Sequence, residues 1–210
     1  MAGRAPFTKE EAAPLERCAL LNGKNQWEPA SNPLNKHSTI RKNIGMQKMG
    51  PGYSFAKAML ASDDGIEIGL VVNAKGGSRI SQWFKGTAFY NDAVGRTKAA
   101  IALGGGSLKG ILWHQGESDA KNPKYLEELT QLISDLRADL GDPELPFVAG
   151  QVKDLPSIND RIAALPAAVP HTAYASSKGL KTTDRWHFDA PGVRLLGERY
   201  AEAMLKLLRR

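Results

Sequence analysis

The chain has 210 residues, 42% of them hydrophobic and 24% charged, which is the length of one ordinary domain with enough apolar surface to exclude a mainly disordered protein. Its longest apolar runs fall far short of the roughly 18 residues that a membrane-spanning helix needs, so we expect no membrane partner. The net charge of +6 comes from scattered basic residues, which favours a solvated surface over a nucleic-acid-binding face, and the single cysteine, Cys18, excludes an internal disulfide framework.

Residues 1–50 show little periodicity and several turn-forming pairs, such as Asn22-Gly23 and Asn32-Pro33. This pattern predicts a segment made mostly of loops. The first residues lack the basic and apolar regions of a signal peptide, so the sequence leaves the compartment open. It also leaves the oligomeric state open.

From residue 51 onward, helix-type and strand-type patterns alternate. The predicted helices span 53–61, 89–103, 123–140, 157–164 and 191–208, and the predicted strands span 66–73, 108–113, 146–152 and 172–176. Such alternation is typical of right-handed crossovers and of a mostly parallel sheet covered by helices on both faces. Neither an internal repeat nor a change of composition divides the chain, so we predict one domain over residues 1–210.

Polar residues follow the first two of these strands, where the site of an open α/β sheet normally lies. Lys-Gly-Gly-Ser-Arg-Ile at 75–80 follows the first strand. Its paired glycines, Gly76 and Gly77, would let backbone N–H groups approach an oxyanion or phosphate, although the same pair also fits a plain turn.

Trp-His-Gln-Gly-Glu-Ser-Asp at 113–119 follows the second strand. Gln115 can donate a side-chain N–H to a developing oxyanion, or it can simply bond to nearby backbone. His114 and Glu117 resemble half of a zinc site. No second histidine stands at helical spacing, so we expect no metal.

Asp-Arg-Trp-His-Phe-Asp at 184–189 precedes the last helix. A carboxylate three residues before a histidine can accept the Nδ1 proton of the imidazole, which leaves Nε2 free as a base. We therefore expect Asp184 to orient His187. Asp189 has a different explanation as the N-cap of the helix, with Pro191 in its first turn.

Together, these three segments resemble the second, third and fifth sequence blocks of the SGNH hydrolases. More narrowly, they resemble the sialate O-acetylesterase and acetylxylan esterase branch, carbohydrate esterase family six. The resemblance implies a flavodoxin-like three-layer α/β/α sandwich with a mostly parallel sheet. It also implies serine-dependent removal of acetyl groups from carbohydrates such as acetylated xylan or sialic acids, without a cofactor, by a family that is often secreted or periplasmic.

The resemblance implies a role for each matching residue. His187 resembles the general base and Asp184 its orienting acid. Gly77, with Gly76, resembles the backbone oxyanion donor. Gln115 resembles the side-chain oxyanion donor, and Glu117 falls where a loop brace is expected.

The family's nucleophile belongs to a block of the form Gly-Gln-Ser-Asn-Met-Ala-Gly-Arg at the end of the first strand, and this chain begins with Met-Ala-Gly-Arg. We therefore expect the first strand and the attacking serine to lie before Met1, and the chain as written to be inactive. Ser78 and Ser118 are possible substitutes, but neither lies in a Gly-x-Ser-x-Gly turn.

Two other functions fit the sequence. One is a non-catalytic carbohydrate-binding remnant that keeps the pocket without the serine. The other is a polyanion binder driven by the net charge of +6, whose mark would be a steep salt dependence of binding.

Overall fold

The computed structural model of the chain describes residues 2–40 and 43–209. Its helices are α1 (Lys9–Ala12), α2 (Gly52–Ala61), α3 (Ala88–Ala102), α4 (Tyr125–Leu140), α5 (Pro156–Ala168) and α6 (Ala190–Leu208). Its strands are β1 (Cys18–Leu21), β2 (Trp27–Pro29), β3 (Ile68–Leu70), β4 (Ile111–Trp113), β5 (Phe147–Gly150) and β6 (Thr172–Ala175). Short 3₁₀ turns lie at Leu34–His37, Ile44–Met46, Ile80–Trp83 and Glu117–Asp119. From α2 to α6 the helices and strands alternate as the sequence predicts.

The strands form two separate three-stranded sheets, ordered β2-β1-β3 and β4-β5-β6. In the first, β1 runs parallel to β3, with Ala19 opposite Gly69, and antiparallel to β2. In the second, all three strands are parallel, with Val148 of β5 opposite both Leu112 and Ala173. Because both sheets are rich in parallel strands and have helices on both sides, the structure has the layered α/β architecture that the sequence predicts.

The helices begin and end close to the predicted residues because their boundary signals are local. Gly141, directly after α4, has a φ of +77°, the left-handed conformation that commonly ends a helix. At the start of α6, the Asp189 carboxylate accepts a hydrogen bond from the Gly192 N–H at 2.7 Å, which confirms its expected role as N-cap. Helix α5 runs four residues past its predicted end, to Ala168, and accommodates Pro166.

The strands next to the gap between the two sheets are shorter than their apolar runs predict. The run at 66–73 forms a ladder only over Ile68–Leu70, and the run at 108–113 only over Ile111–Trp113. Each of these strands pairs along a single edge in the described part of the chain. A strand assignment requires hydrogen-bonded neighbours as well as extended backbone, so these ladders end early.

Residues 1–50, predicted to be mostly loops, also contain a hairpin formed by β1 and β2. Asn22 closes the turn. Its N–H donates to the Gln26 carbonyl at 2.8 Å, and its Oδ1 accepts from the backbone N–H groups of Lys24 and Gln26. The short α1 is attached to α6 by a bidentate ion pair between Glu11 and Arg194, at 2.6 and 2.9 Å.

Buried apolar side chains form two clusters. One is built largely from α2 and α6, and the other from α3, α4 and α5. Strand β5 contributes to both, with Val148 in the first cluster and Phe147 and Ala149 in the second. The strands therefore form the middle layer between two layers of helices. None of the described helices is both long and apolar enough to cross a membrane.

Candidate active site

A cleft with a volume of about 1130 Å³ separates β3 from β4. Residues 66–78 line one of its walls, and residues 107–115 line the opposite wall. Helices α2 and α6 cover one face of the cleft, and α3 and α4 contribute to the other. The carboxyl ends of β3 and β4 therefore open at one end of the cleft, which we call the mouth.

The structure brings the predicted site residues together at this mouth. All but one of them line the cleft: Gly76, Gly77, Ser78, Gln115, Glu117, Ser118 and His187. The exception, Asp184, is hydrogen-bonded to His187. Segments far apart in the sequence thus meet around one opening.

The Asp184–His187 pair has the geometry expected of an acid that orients a base. His187 Nδ1 lies 2.7 Å from Asp184 Oδ2, and the backbone N–H groups of Trp186 and His187 each donate to Asp184 Oδ1 at 2.8 Å. The hydrogen bond with His187, aided by the two backbone donors, lowers the pKa of Asp184 to about 2. Asp184 is thus an anion at neutral pH and holds the imidazole with its proton on Nδ1.

The loop that carries this pair is fixed at both ends. The Thr183 N–H donates to the His187 carbonyl at 2.9 Å, and Thr182 forms an antiparallel bridge with Phe188. Asp184 also accepts bonds from the N–H groups two and three residues later, as a turn-forming aspartate does. His187 Nε2 has no hydrogen-bond partner among the described residues, so this nitrogen is available to a substrate.

The glycine pair in the loop that follows β3 presents unpaired backbone donors. The N–H groups of Gly76 and Gly77 donate no hydrogen bond to the described residues. Gly77 has a φ of +71°, a conformation that strains any residue with a Cβ, although a Cβ there would meet no atom within 4 Å. Glycine is therefore required at this position by backbone conformation rather than by lack of space.

Gln115 is buried, and both hydrogens of its amide nitrogen are already bonded. Nε2 donates to the Ser78 carbonyl at 2.9 Å and to Asp119 Oδ2 at 2.5 Å. Because both partners are acceptors, the amide can be oriented in only one way. Donation to an oxyanion would require one of these bonds to break. Its buried Oε1 has no partner in the part of the chain that the structure describes.

Asp119 braces the loops. The buried Asp119 carboxylate accepts from the Ile80 N–H at 2.8 Å as well as from Gln115, so it links the loop after β4 to the loop after β3. Glu117 makes no hydrogen bond or ion pair with the described residues, and a bracing role for it stays a prediction. Sequence reasoning missed Asp119 because its partner, the Ile80 N–H, is 39 residues away along the chain.

Neither of the two substitute serines contacts the base. Ser78 is buried, its hydroxyl donates to the Lys75 carbonyl at 3.0 Å, and it accepts from the Trp83 indole at 3.0 Å. Ser118 is exposed and forms no hydrogen bond with the described residues. Among residues 2–40 and 43–209, no serine hydroxyl is bonded to His187.

His114 lies deeper, against α6. Its Nδ1 is 3.2 Å from the Tyr200 hydroxyl oxygen. The Tyr200 hydroxyl donates its own hydrogen to the Trp113 carbonyl at 2.5 Å. Nδ1 is therefore assigned as the donor. Burial holds the pKa of His114 well below its usual range, which keeps the ring neutral. The described residues contain no group of three or more histidine, cysteine or acidic side chains arranged to hold a metal.

The family model named SASA, described as carbohydrate esterase, sialic acid-specific acetylesterase, matches residues 1–206. The chain belongs to this family of carbohydrate esterases. It is 32% identical over 205 residues to a protein of Arabidopsis thaliana named "Probable carbohydrate esterase", a match that covers 93% of this chain and 77% of that protein. The resemblance to the sialate O-acetylesterase branch is thereby confirmed.

Solved structures agree with the predicted fold. The solved structure of that Arabidopsis protein superposes with a TM-score of 0.86 and 29% identity, over 98% of this chain and 93% of that one. A carbohydrate acetylesterase from Xanthomonas citri superposes with a TM-score of 0.70 over 96% of this chain and 52% of that one; at 22% identity it supports the fold alone. The flavodoxin-like sandwich predicted from the sequence is confirmed.

Proposed function

We propose that the chain carries the base, the orienting acid and the oxyanion donors of a serine-type carbohydrate O-acetylesterase. The observation that carries the proposal is the 2.7 Å contact between His187 Nδ1 and Asp184 in the same mouth as the free N–H groups of Gly76 and Gly77. Membership of a carbohydrate esterase family supports the reaction class. The substrates we propose are acetylated sugars of the xylan or sialic acid type.

The chemistry follows from which atoms are free. His187 Nε2 takes the proton of a serine hydroxyl as the serine oxygen attacks the acetyl carbonyl, and Asp184 stabilises the imidazolium that forms. The N–H of Gly77, with that of Gly76, donates to the oxyanion. His187 then protonates the sugar oxygen as the ester bond breaks, and water attacks the acetyl-enzyme to release acetate.

Gln115 contributes to this site through the bonds it already makes. It holds the Ser78 carbonyl, and this fixes the backbone of the loop that carries Gly76 and Gly77. We propose that Gln115 keeps these N–H groups aimed at the oxyanion. A direct donor role, as the family resemblance implies, would require Nε2 to leave Ser78 or Asp119 when the oxyanion forms.

We propose further that the attacking serine comes from outside the described residues. Ser78 has its hydroxyl committed to Lys75 and Trp83, and Ser118 has no contact with His187. A base and an oxyanion site without the nucleophile leave only residual catalysis. The chain as given should therefore release acetate slowly, and the same chain extended upstream in its reading frame should release it fast.

The test measures acetate release from p-nitrophenyl acetate, acetylated xylan and O-acetylated sialic acid by the chain as given and by the extended chain. We expect only the extended chain to turn over, and its rate to fall at least about 10³-fold in His187→Ala and in Asp184→Asn. Ser78→Ala and Ser118→Ala serve as controls that should keep turnover. Full activity of the chain as given, lost in either serine variant, would overturn the assignment of the nucleophile.

A second candidate is binding without turnover, and one observation favours it. Trp186 lines the mouth beside His187, and the Arg185 guanidinium lies 4.6 Å from the centre of its ring. An indole held in this way offers a flat face to a sugar ring. Binding of acetylated xylan oligosaccharides by the extended chain, with no acetate released, would support the binding function and reject the esterase.

A further inference from the structure

One face of the sheet β2-β1-β3 lies outside both apolar clusters. Ile68 and Leu70 of β3 pack against the cluster built from α2 and α6. Because side chains alternate along a strand, the Cβ direction of Gly69 and the side chain of Ala19, which lies opposite Gly69 on β1, point to the other face of the sheet. Ala19 and Trp27 belong to neither of the two clusters of described residues. We call this second face the outer face of the sheet.

The indole ring of Trp27 lies flat on the outer face. A Cβ placed on Gly69 would lie 2.8 Å from Trp27 Cη2, and 3.2 and 3.3 Å from the two neighbouring ring carbons, Cζ3 and Cζ2. Because these three distances are nearly equal, the Cβ direction of Gly69 meets the face of the ring and not its edge. Glycine is therefore the residue that lets the ring approach the strand so closely. The opposite face of the ring points away from the sheet.

The outward face of this ring is open to solvent. Trp27 is 38% exposed, more than any of the other three tryptophans. Trp83 and Trp113, by contrast, are buried and pack edge to face, with their ring centres 5.5 Å apart. The indole N–H of Trp27 donates to no group in the described part of the chain. Trp27 thus presents a flat apolar surface with a free donor at its rim.

A carboxylate stands next to the ring on the same face. Glu67 lies two residues before Gly69, so its side chain projects from the outer face about 7 Å farther along the strand. Glu67 is exposed and forms no ion pair or hydrogen bond with the residues that the structure describes. A carboxylate accepts hydrogen bonds from hydroxyl groups and repels an anion. The ring and the carboxylate together fit a neutral ligand that has both a flat apolar face and hydroxyl groups.

The free edge of β2 is poorly suited to pairing with another strand. The Ala30 N–H donates to the Cys18 carbonyl, so every second residue before Ala30 directs its backbone groups toward β1. Trp27 and Pro29 therefore direct theirs to the free edge. Pro29 has no N–H to donate, which is a common protection of edge strands against further pairing. A peptide strand is thus disfavoured as the partner of this surface.

We propose that Trp27, Ala19, Gly69 and Glu67 form a surface site for a neutral polysaccharide chain of the xylan type, and we call this site the Trp27 platform. A sugar ring stacks its C–H face on the indole, while its hydroxyl groups donate to Glu67 and accept from the indole N–H. Trp27 and Ala19 do not line the cleft, so a sugar on the indole leaves the mouth open. Only the use of the platform to hold a polymeric substrate rests on the proposed function.

The test titrates unacetylated xylohexaose, which carries no ester, into the chain as given and follows the tryptophan indole N–H signals by NMR. We expect the Trp27 signal, assigned by its absence in Trp27→Phe, to shift. Trp27→Ala should weaken binding at least about 10-fold, whereas Trp27→Phe, which keeps a flat ring, should weaken it less. Gly69→Ala, whose Cβ displaces the indole, should weaken binding at least about threefold. The matched control is Tyr174→Ala, because Tyr174 of β6 is 39% exposed, and it should leave the Kd unchanged.

Four outcomes would overturn the proposal. The first is a Trp27 signal that does not shift, and the second is Trp27→Ala binding xylohexaose as tightly as the unchanged chain. The third is a shift of the Trp186 signal alone, which would place the sugar at the mouth. The fourth is sedimentation showing a dimer that Trp27→Ala abolishes, without any sugar-dependent shift, which would assign the platform to a second copy of the chain. Glu67→Ala keeps the test decisive if Trp27→Ala does not fold, and it should weaken binding at least about threefold.

The extended chain separates this proposal from the proposed function. His187→Ala should abolish its acetate release and leave xylohexaose binding at Trp27 unchanged. Trp27→Ala should keep its turnover of p-nitrophenyl acetate and raise KM for acetylated xylan at least about threefold. Binding at Trp27 without acetate release would retain the platform and reject the esterase mechanism. Acetate release without binding at Trp27 would reject the platform and leave the esterase mechanism standing.

Discussion

Strands β5 and β3 have similar composition but very different environments. β5 is hydrogen-bonded on both edges, and all four of its residues are buried. In the described part of the chain, β3 pairs on one edge. Its Ile68 and Leu70, and the Val71 and Val72 that follow it, are only partly buried although they are as apolar as the residues of β5. Burial in these two sheets is therefore set by the neighbours of a strand as much as by its own residues.

The largest expected loss of stability comes from placing a carboxylate in the buried β5, compared with placing one just after the partly buried β3. Val148→Asp buries a charge without a partner and should cost more than about 4 kcal/mol of unfolding free energy, or prevent folding. Val71→Asp, beside the cleft, should cost about 1 kcal/mol because water reaches the new side chain. Urea unfolding of both variants measures the difference. Equal losses would show that the two strands are equally enclosed.

The next largest loss of stability is expected at the mouth, where side chains connect the loop after β3 to the loop after β4. Asp119→Ala leaves the Ile80 N–H and one Gln115 hydrogen without an acceptor and should cost about 3 kcal/mol. Glu117→Ala is the matched control and should change stability by less than about 0.5 kcal/mol, since Glu117 has no bonded partner among the described residues. Equal effects of the two substitutions in urea unfolding would contradict the assignment of the brace to Asp119.

A smaller effect is expected at the glycine pair. Gly77→Ala places a Cβ at a φ of +71° and should cost about 1 kcal/mol through backbone strain alone, because the space around it is open. At Gly76, a Cβ would meet only Ala2 Cβ at an ordinary 3.8 Å. Thermal unfolding should therefore show Gly76→Ala to be the milder variant, and the reverse order would be inconsistent with the turn conformation.

The smallest expected change in stability comes from protonating Asp184, which lies at the exposed mouth and not in the buried sheet. Its pKa is lowered to about 2, so the stabilising contribution of this carboxylate is present above its ordinary pKa of about 3.9 and is lost as the pH falls toward 2. Carbon-detected NMR should find this midpoint, and His187→Ala should raise it. A midpoint unchanged by that substitution would show that the imidazole is not the cause of the shift.

Sequence patterns predicted the helices well and the strands less well. The helix starting at Gly52 is defined by periodicity, and the one ending before Gly141 by periodicity and its glycine C-cap. The run at 66–73 gives no information on whether its second edge has a partner, so its ladder was predicted too long. The β1–β2 hairpin was missed because β1 does not alternate and β2 ends in Pro29.

At the site, residues that act on near neighbours in sequence were predictable. Asp184 and His187 are three residues apart, so a single turn brings them together. The bracing role of Asp119 depends on the hydrogen bond from the Ile80 N–H, and Gln115 depends in part on its bond to the Ser78 carbonyl. Both bonds join the loop after β4 to the loop after β3. Such pairings arise only when the chain has folded, and no local pattern indicates them.

The position of Leu208 has a consequence for attaching tags. Leu208, the last residue of α6, and Ala2 both line the cleft. A bulky tag joined beside either residue would therefore lie next to the cleft, so activity assays are better made with a tag on a surface loop away from it.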